Sequence, residues 1–187
     1  MGRAGGIVTS NEWTSSSMPY LTPRTAGDVD AWTEEARGAG RRGSQRIVHA
    51  GEVPAPAAVG LMLGLTDGAT VVVRRRIIEL DDEPTELTDT YYPAAIALGT
   101  PLAGTAKIRG GAVTLLATLG HVGVRVVENV TARMPSDEER EQLRLGTGEP
   151  VLQLARTTYD SADHAIQGDV MVMPAGRQQL RYEIRIG

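Results

Sequence analysis

Two stretches decide how this chain folds: LGLTDGATVVVRRR at 63–76 and LRLGTGEPVLQLAR at 143–156. Each ends a helix-like segment, turns on a glycine and enters an apolar strand that closes on arginine. In the first, PAPAAVGLMLGL (54–65) reads as a short helix opened by prolines, and TVVVRRRIIEL (70–80) has the β-branched run of a strand. The polar DDEP (81–84) turns the chain back into TELTDTYYP (85–93), which completes a hairpin. In the second, SDEEREQLRLG (136–146) is the clearest helix. Ser136 and Glu139 are spaced as a capping box, in which hydroxyl and carboxylate each satisfy an orphan backbone N–H. PVLQLARTTYD (150–160) and AIQGDVMVMP (165–174) then form a second hairpin around SADH (161–164).

The parallel runs further than the two stretches. Val71 to Arg76 stands against Val151 to Arg156, and the hairpins end on Pro93 and Pro174. Agreement through helix, glycine turn, strand, acidic turn, strand and proline indicates a duplicated unit. Two copies are too few for a solenoid, but they can build one pseudo-symmetric antiparallel sheet with packed helices, an α+β domain. Pockets favour the place where two such halves meet.

Outward from this pair, residues 1–27 are rich in Gly, Ser, Thr and Pro and read as a linker or flexible arm. DVDAWTEEARGAG (28–40) is a short helix with an Asp cap candidate and with Val29, Trp32 and Ala36 on one face, and SQRIVHAGEV (44–53) is a strand. Residues 93–120 are mostly helical, broken by GTPLAG and RGG. VGVRVVENVTARMP (122–135) is expected as a long strand with Val122, Val124, Val126 and Val130 in one register. QQLRYEIRI (178–186) is expected as a closing strand with Leu180, Tyr182, Ile184 and Ile186 on one face.

Composition excludes several functions. With 41% apolar and 22% charged residues, the 187-residue chain can bury a core, and with no Phe and 4% aromatics that core must be aliphatic. A net charge of −4 gives no basic field for non-specific nucleic-acid binding. No apolar run approaches the length of a membrane span and no signal pattern opens the chain, so a soluble cytoplasmic protein is expected. The absence of Cys removes thiolate chemistry and Cys-ligated metals.

Catalytic motifs are missing. His49, His121 and His164 have no metal-ligand spacing and read as solvated histidines, so neither a metal nor a cofactor is expected. No nucleophile elbow, phosphate loop or dinucleotide fingerprint occurs. The acids at 81–82 and 137–139 fall in a turn and at a helix start, where they are solvated rather than converging in a cleft. The Arg74–Arg76 run is the sharpest local oddity. Alternation puts Arg74 and Arg76 on one strand face and Arg75 on the other, among Val71, Val73 and Ile77. Each arginine is open either to ion pairing and solvation or to an anionic ligand.

The repeat from 63 to 93, followed by GGAVTLLATLG (110–120), ENVTARMPSDEEREQLRLGTGEPVLQLARTTYD (128–160) and PAGRQQLRYEI (174–184), resembles the UTRA domain. This is the effector-binding domain of bacterial GntR-type transcription regulators of the HutC subfamily. The resemblance covers roughly residues 44–187 with every block in order. It implies a chorismate-lyase-like α+β fold, a small-molecule effector pocket, homodimerisation, and contact with DNA only through a preceding winged-helix domain. Residues 1–43 are too short and too poor in helical pattern to hold that head. The chain is therefore expected to consist of an arm at 1–27 and an effector-binding and dimerisation domain at 28–187, without a head.

Aligned on the proline landmarks, the family's strand arginine falls on Arg76, and a second family arginine is replaced by Ile78. Its two glutamates fall on Thr88 and Gln167, and a later aromatic falls near Met173. The resemblance thus implies effector contacts at Arg76, Ile78, Thr88, Gln167 and Met173, with one cation and two acids fewer than a phosphosugar site would use. A more neutral and apolar effector is expected. Two rivals remain open: a chorismate-lyase-like enzyme, which sparse pocket charge argues against, and a dimerisation module with a vestigial pocket.

Overall fold

The computed structural model describes residues 13–23 and 30–184. Val29 and Ile186, expected on a helix face and a strand face, lie outside those residues. The main sheet has six antiparallel strands in the order β2-β3-β4-β7-β6-β5: β2 (Gly43–Pro54), β3 (Thr70–Leu80), β4 (Glu83–Pro93), β5 (Arg125–Arg133), β6 (Val151–Tyr159) and β7 (Ala165–Pro174). This order is a palindrome of the repeat. An outer strand, a helix and a hairpin form each half, and β4 pairs with β7 across a pseudo-twofold through Leu87↔Val172 to Tyr91↔Gly168.

The two stretches that open the repeats fold alike to the level of backbone handedness. Helix α3 (Ala57–Leu63) ends on Gly64, which is left-handed at φ 65°, and Leu65 N–H closes on Gly60 C=O at 2.8 Å. Helix α6 (Asp137–Gln142) carries the expected capping box. It ends with Arg144 at φ 52° and Leu145 N–H on Arg140 C=O at 2.9 Å. Gly68 and Gly148 then turn both chains at φ 77° and 83°, a conformation that only glycine adopts without strain. The β3–β4 connection is a two-residue turn with Asp81 at φ 52° and Asp82 at φ 67°, the primed geometry that matches strand twist.

One sheet face is covered by these helices. Val59 and Leu63 of α3 pack on Val71, Val73 and Tyr91, while Leu143 and Leu145 after α6 pack on Val151 and Val172. At Gly168 the approach of α3 is so close that a Cβ would stand 2.4 Å from Met62 Cε. On the opposite face Val72 and Tyr92 pack with Ala97 of α4 (Ala94–Ala97), with the buried Leu102 in a single 3₁₀ turn (Pro101–Ala103), and with Leu116 of α5 (Gly111–Thr118). Each valine of the 71–73 run is fully buried, and such burial stabilises by roughly 1.5–3 kcal/mol per side chain.

Three segments differ from their sequence expectation. The strand expected from Val122 begins at Arg125 and is an edge strand, so Val122, Val124 and Val130 are exposed rather than aligned on a core face. The closing strand expected over 178–186 is short: β8 (Gln178–Leu180) pairs in parallel with β1 (Trp13–Ser15), and the pairing stops at Ser15↔Leu180. Within the expected arm, residues 13–21 pack on the domain. Trp13 meets Trp32 of α2 (Ala31–Gly38) edge-on at 5.1 Å between ring centres, and a one-turn helix α1 (Met18–Leu21) follows β1. The N-cap of α2 is Asp30, whose carboxylate accepts from Thr33 N–H at 3.0 Å.

Candidate ligand cavity

On the face away from α3 and α6, the seam between the halves opens into a cavity of about 480 Å³, within the range of small-molecule sites. Its floor follows from strand register. Arg76 sits opposite Thr88, Thr88 opposite Met171, and Met171 opposite Leu154. The next row toward the pseudo-twofold partner runs Arg74, Thr90, Asp169, Arg156, with Glu128 of β5 beyond. On either side of these rows lie Ile78 with Glu86, and Tyr92, and Gln167 with Thr158. Arg76 and Arg156 are therefore equivalent positions of the two copies, each five residues past the valine that opens its hairpin.

All five residues picked out in the sequence, Arg76, Ile78, Thr88, Gln167 and Met173, line this one cavity. Arg76 donates from its two terminal nitrogens to Thr90 Oγ1 at 2.9 Å and Gln45 Oε1 at 3.4 Å, while its buried Nε has no partner among the described residues. The Thr88 hydroxyl donates to Glu86, and Gln167 donates its amide to Asp169 Oδ2 at 2.8 Å. Ile78 is 8% exposed and joins the Trp13–Trp32 cluster, and Met173 packs with Leu154 and Met171.

The three consecutive arginines take three separate places. Arg74, 5% exposed, donates to the backbone carbonyls of Pro101 at 3.1 Å, Leu102 at 3.3 Å, Gly104 and Ala106 at 3.1 Å, stapling the 101–106 loop to the sheet. Arg75 pairs with Asp89 at 3.2 Å on the outer face, half exposed. Only Arg76 enters the cavity.

The cavity also holds charge that residue-by-residue alignment did not bring out. Glu86 lies two residues before Thr88, and Asp169 two residues after Gln167, each on the cavity face of its strand. Period-two alternation from Thr88 and Gln167 carries that signal. The expectation of sparse pocket charge is thus corrected, but the added charge is acidic and weighs further against an anionic substrate. Burial pushes the Glu86 carboxyl above the usual range, although the Thr88 hydroxyl, Arg76 and Arg156 pull the other way. Asp169 is 3% exposed and has both oxygens occupied, by Thr90 Oγ1 at 2.7 Å and Gln167 Nε2. Arg156 donates Nε to Glu128 at 2.6 Å, a pair with both side chains nearly buried.

One wall is the N-terminal arm, whose residues 15–22 all border the cavity. Ser17 Oγ accepts from Arg156 at 2.9 Å, so the arm is tied directly to the floor. Burial would raise the Glu128 carboxyl, but bonds from Ser17 and Tyr182 and the charge of Arg156 hold it below the usual carboxylate range. His121 also borders the cavity, whereas His164 lies in the β6–β7 turn beside Asp160. Among the described residues no group of three or more His, Asp or Glu is arranged to hold a metal ion, and no helix is long and apolar enough to cross a membrane.

The UTRA domain family matches residues 38–179. An uncharacterized HTH-type transcriptional regulator of Streptomyces coelicolor is 31% identical over 166 residues, covering 86% of this chain and 61% of that protein. The chain therefore spans about three-fifths of that relative's length. Among solved structures, the effector domain of PhnF from Mycobacterium smegmatis superposes with a TM-score of 0.70 at 22% identity, covering 88% of this chain and 98% of that one. The C-terminal domain of the histidine utilization repressor from Pseudomonas syringae pv. tomato gives 0.58 at 22% identity, covering 78% and 99%. At these identities the superpositions establish the fold, the mixed α+β architecture of GntR-family C-terminal domains.

Proposed function

From a chain that belongs to the UTRA domain family, the effector-binding module of GntR-type transcription regulators, we infer that the cavity between the two repeats receives a small-molecule effector, and that its occupancy is passed to a DNA-binding domain through the N-terminal arm. The observation that carries this reading is the arm itself. The same residues, 15–22, that border the cavity lie N-terminal to the region that matches the family, and the chain covers only 61% of the HTH-type S. coelicolor relative. A ligand that competes with Ser17 for Arg156, or that packs under α1, changes the free energy of the docked arm. Allostery needs such a shared element, one whose equilibrium both sites bias.

In this reading Arg76 supplies the cation for the effector, Thr88 and Gln167 the hydrogen bonds, and Ile78 and Met173 the apolar contact. The domain works as a homodimer in the cytoplasm, with DNA contacted by the attached domain and not by this one. The exposed valines of edge strand β5 favour self-association, because an uncovered edge templates pairing. The reading is of a binding domain rather than an enzyme, in keeping with the regulators it matches.

The test uses the two tryptophans of the chain, Trp13 and Trp32, which pack against each other where the arm meets the domain. In a metabolite panel, a binder present at a hundred times its Kd should raise the Tm by about 5–10 °C and alter tryptophan emission as the arm responds. A binder that raises the Tm while leaving emission unchanged would sink the coupling through the arm. Incubation with chorismate that releases pyruvate would instead favour the lyase alternative.

A further inference from the structure

Two groups of opposite charge border the cavity, and among the described residues neither has an ion-pair partner: Arg76 and Glu86. Arg76 lies on β3 opposite Thr88, and Glu86 lies on β4 opposite Ile78. They are diagonal neighbours on the same face, with Cα atoms about 7–8 Å apart. Arg76 gives its terminal donors to neutral oxygens and leaves its buried Nε unmet. Among the described residues Glu86 accepts only the Thr88 hydroxyl.

The rest of the floor is satisfied. Arg156 is neutralised by Glu128, and Asp169 has both oxygens filled. Enclosing a guanidinium and a carboxyl without counter-ions is unfavourable, and the penalty falls when a guest brings both partners. A phosphosugar fits poorly, because its dianion would meet the Glu86 and Asp169 carboxyls beside Arg76, the other guanidinium of the lining without an ion pair among the described residues, Arg181, being solvent-exposed. Beside the charged pair, Ile78, Met171, Met173 and Tyr92 offer apolar surface for a carbon skeleton.

We propose that the cavity selects a zwitterionic small molecule, an amino-carboxylate, whose carboxylate meets Arg76 and whose ammonium meets Glu86. This rests on the reading of the cavity as an effector site and adds the chemistry of its occupant. Glu86 is then the specificity-determining residue, because it distinguishes an amino acid from the carboxylic acid of the same skeleton.

The test is calorimetry and thermal shift on the chain as it stands. The probes are the proteinogenic α-amino acids and straight-chain ω-amino acids of about three to six carbons, each with its des-amino acid and its decarboxylated amine. Glucose 6-phosphate and a general metabolite panel complete the set. The expected result is an amino-carboxylate that loses about tenfold or more in affinity when either charged group is deleted, the worth of a charge-assisted bond. Glu86→Gln should weaken that ligand to a similar degree and leave its des-amino acid unchanged, while Arg76→Gln should weaken both. The comparison of analogues on the unaltered protein decides the matter even if a variant does not fold. A best binder without an ammonium group overturns the proposal and leaves the effector reading standing. Equal weakening of the amino acid and des-amino acid by Glu86→Gln also overturns it. No binder of any class overturns the effector reading and this proposal together.

Discussion

Replacing each arginine of the 74–76 run by methionine in turn should separate three kinds of energy. Arg74 reaches four backbone carbonyls of the 101–106 segment with one guanidinium. A single bond from a charged donor is worth roughly 1.5–3 kcal/mol net, but the four share one group and most of the carbonyls keep some access to water. A loss of about 3–5 kcal/mol is therefore expected for Arg74→Met, the scale of breaking a buried polar network. For a chain of this length that lowers the Tm by about 6–20 °C. Arg75 makes one half-exposed pair with Asp89, so Arg75→Met should move stability by less than about 0.5 kcal/mol. Arg76→Met removes an enclosed charge that lacks a counter-ion, and should leave stability level or slightly raised while weakening effector binding by about tenfold or more. Thermal and urea unfolding of the three variants, with hydrogen exchange at the Leu102 amide, is the assay. If Arg74→Met and Arg75→Met melt together, the staple has no energetic reality and the division of roles along β3 fails.

The helix ends of the two repeats allow a reciprocal test. Arg144→Gly should gain up to about 1 kcal/mol by relieving a left-handed arginine, and Gly64→Arg should lose about as much, both read from urea midpoints. Gly168→Ala should lose about 1–3 kcal/mol by driving a methyl into Met62, with part of the loss recovered in combination with Met62→Ala, whereas Gly60→Ala, into open space on α3, should gain about 0.5–1 kcal/mol. The two shifted carboxyls predict opposite pH effects. Glu128, held low, stabilises the fold above the unfolded carboxylate pKa of about 4.3, and that contribution disappears as pH falls through its lower folded value. The destabilisation by Glu128→Gln should therefore shrink toward pH ~3. Glu86, held high, destabilises as pH rises through its raised folded value, so Glu86→Gln should melt above the parent at pH ~7 and lose that advantage near pH ~4.

The parts of this fold legible in the sequence are those set by local chemistry. Gly68 and Gly148, the Ser136–Glu139 cap, the prolines before α3 and the β-branched runs fix helix, turn and strand within a few residues of themselves. The pseudo-twofold followed from matching those features in order, and it brought the five expected positions to one cavity. What stayed hidden depends on distant partners. The arm's WTS has no strand pattern of its own and becomes β1 only because Gln178–Leu180 lies beside it. The closing strand stops where β1 stops, since a strand without a partner leaves its backbone unpaired. The valines of 122–130 alternate as if half-buried, yet they lie at and before an edge strand with little to pack against. Glu86 and Asp169 are not singled out in the sequence, and strand register puts them on the cavity face two residues from Thr88 and Gln167.

The most direct test of the account is the methyl NMR spectrum of the methionines, titrated with the strongest binder from the thermal-shift panel. Met18 borders the cavity from the arm, Met171 and Met173 border it from the floor, Met62 lies on the far face against Gly168, and Met134 is exposed just beyond β5. An effector seated between the repeats should shift Met18, Met171 and Met173 and leave Met62 and Met134 in place. Shifts confined to Met62 or Met134, with Met171 and Met173 unmoved, would contradict it.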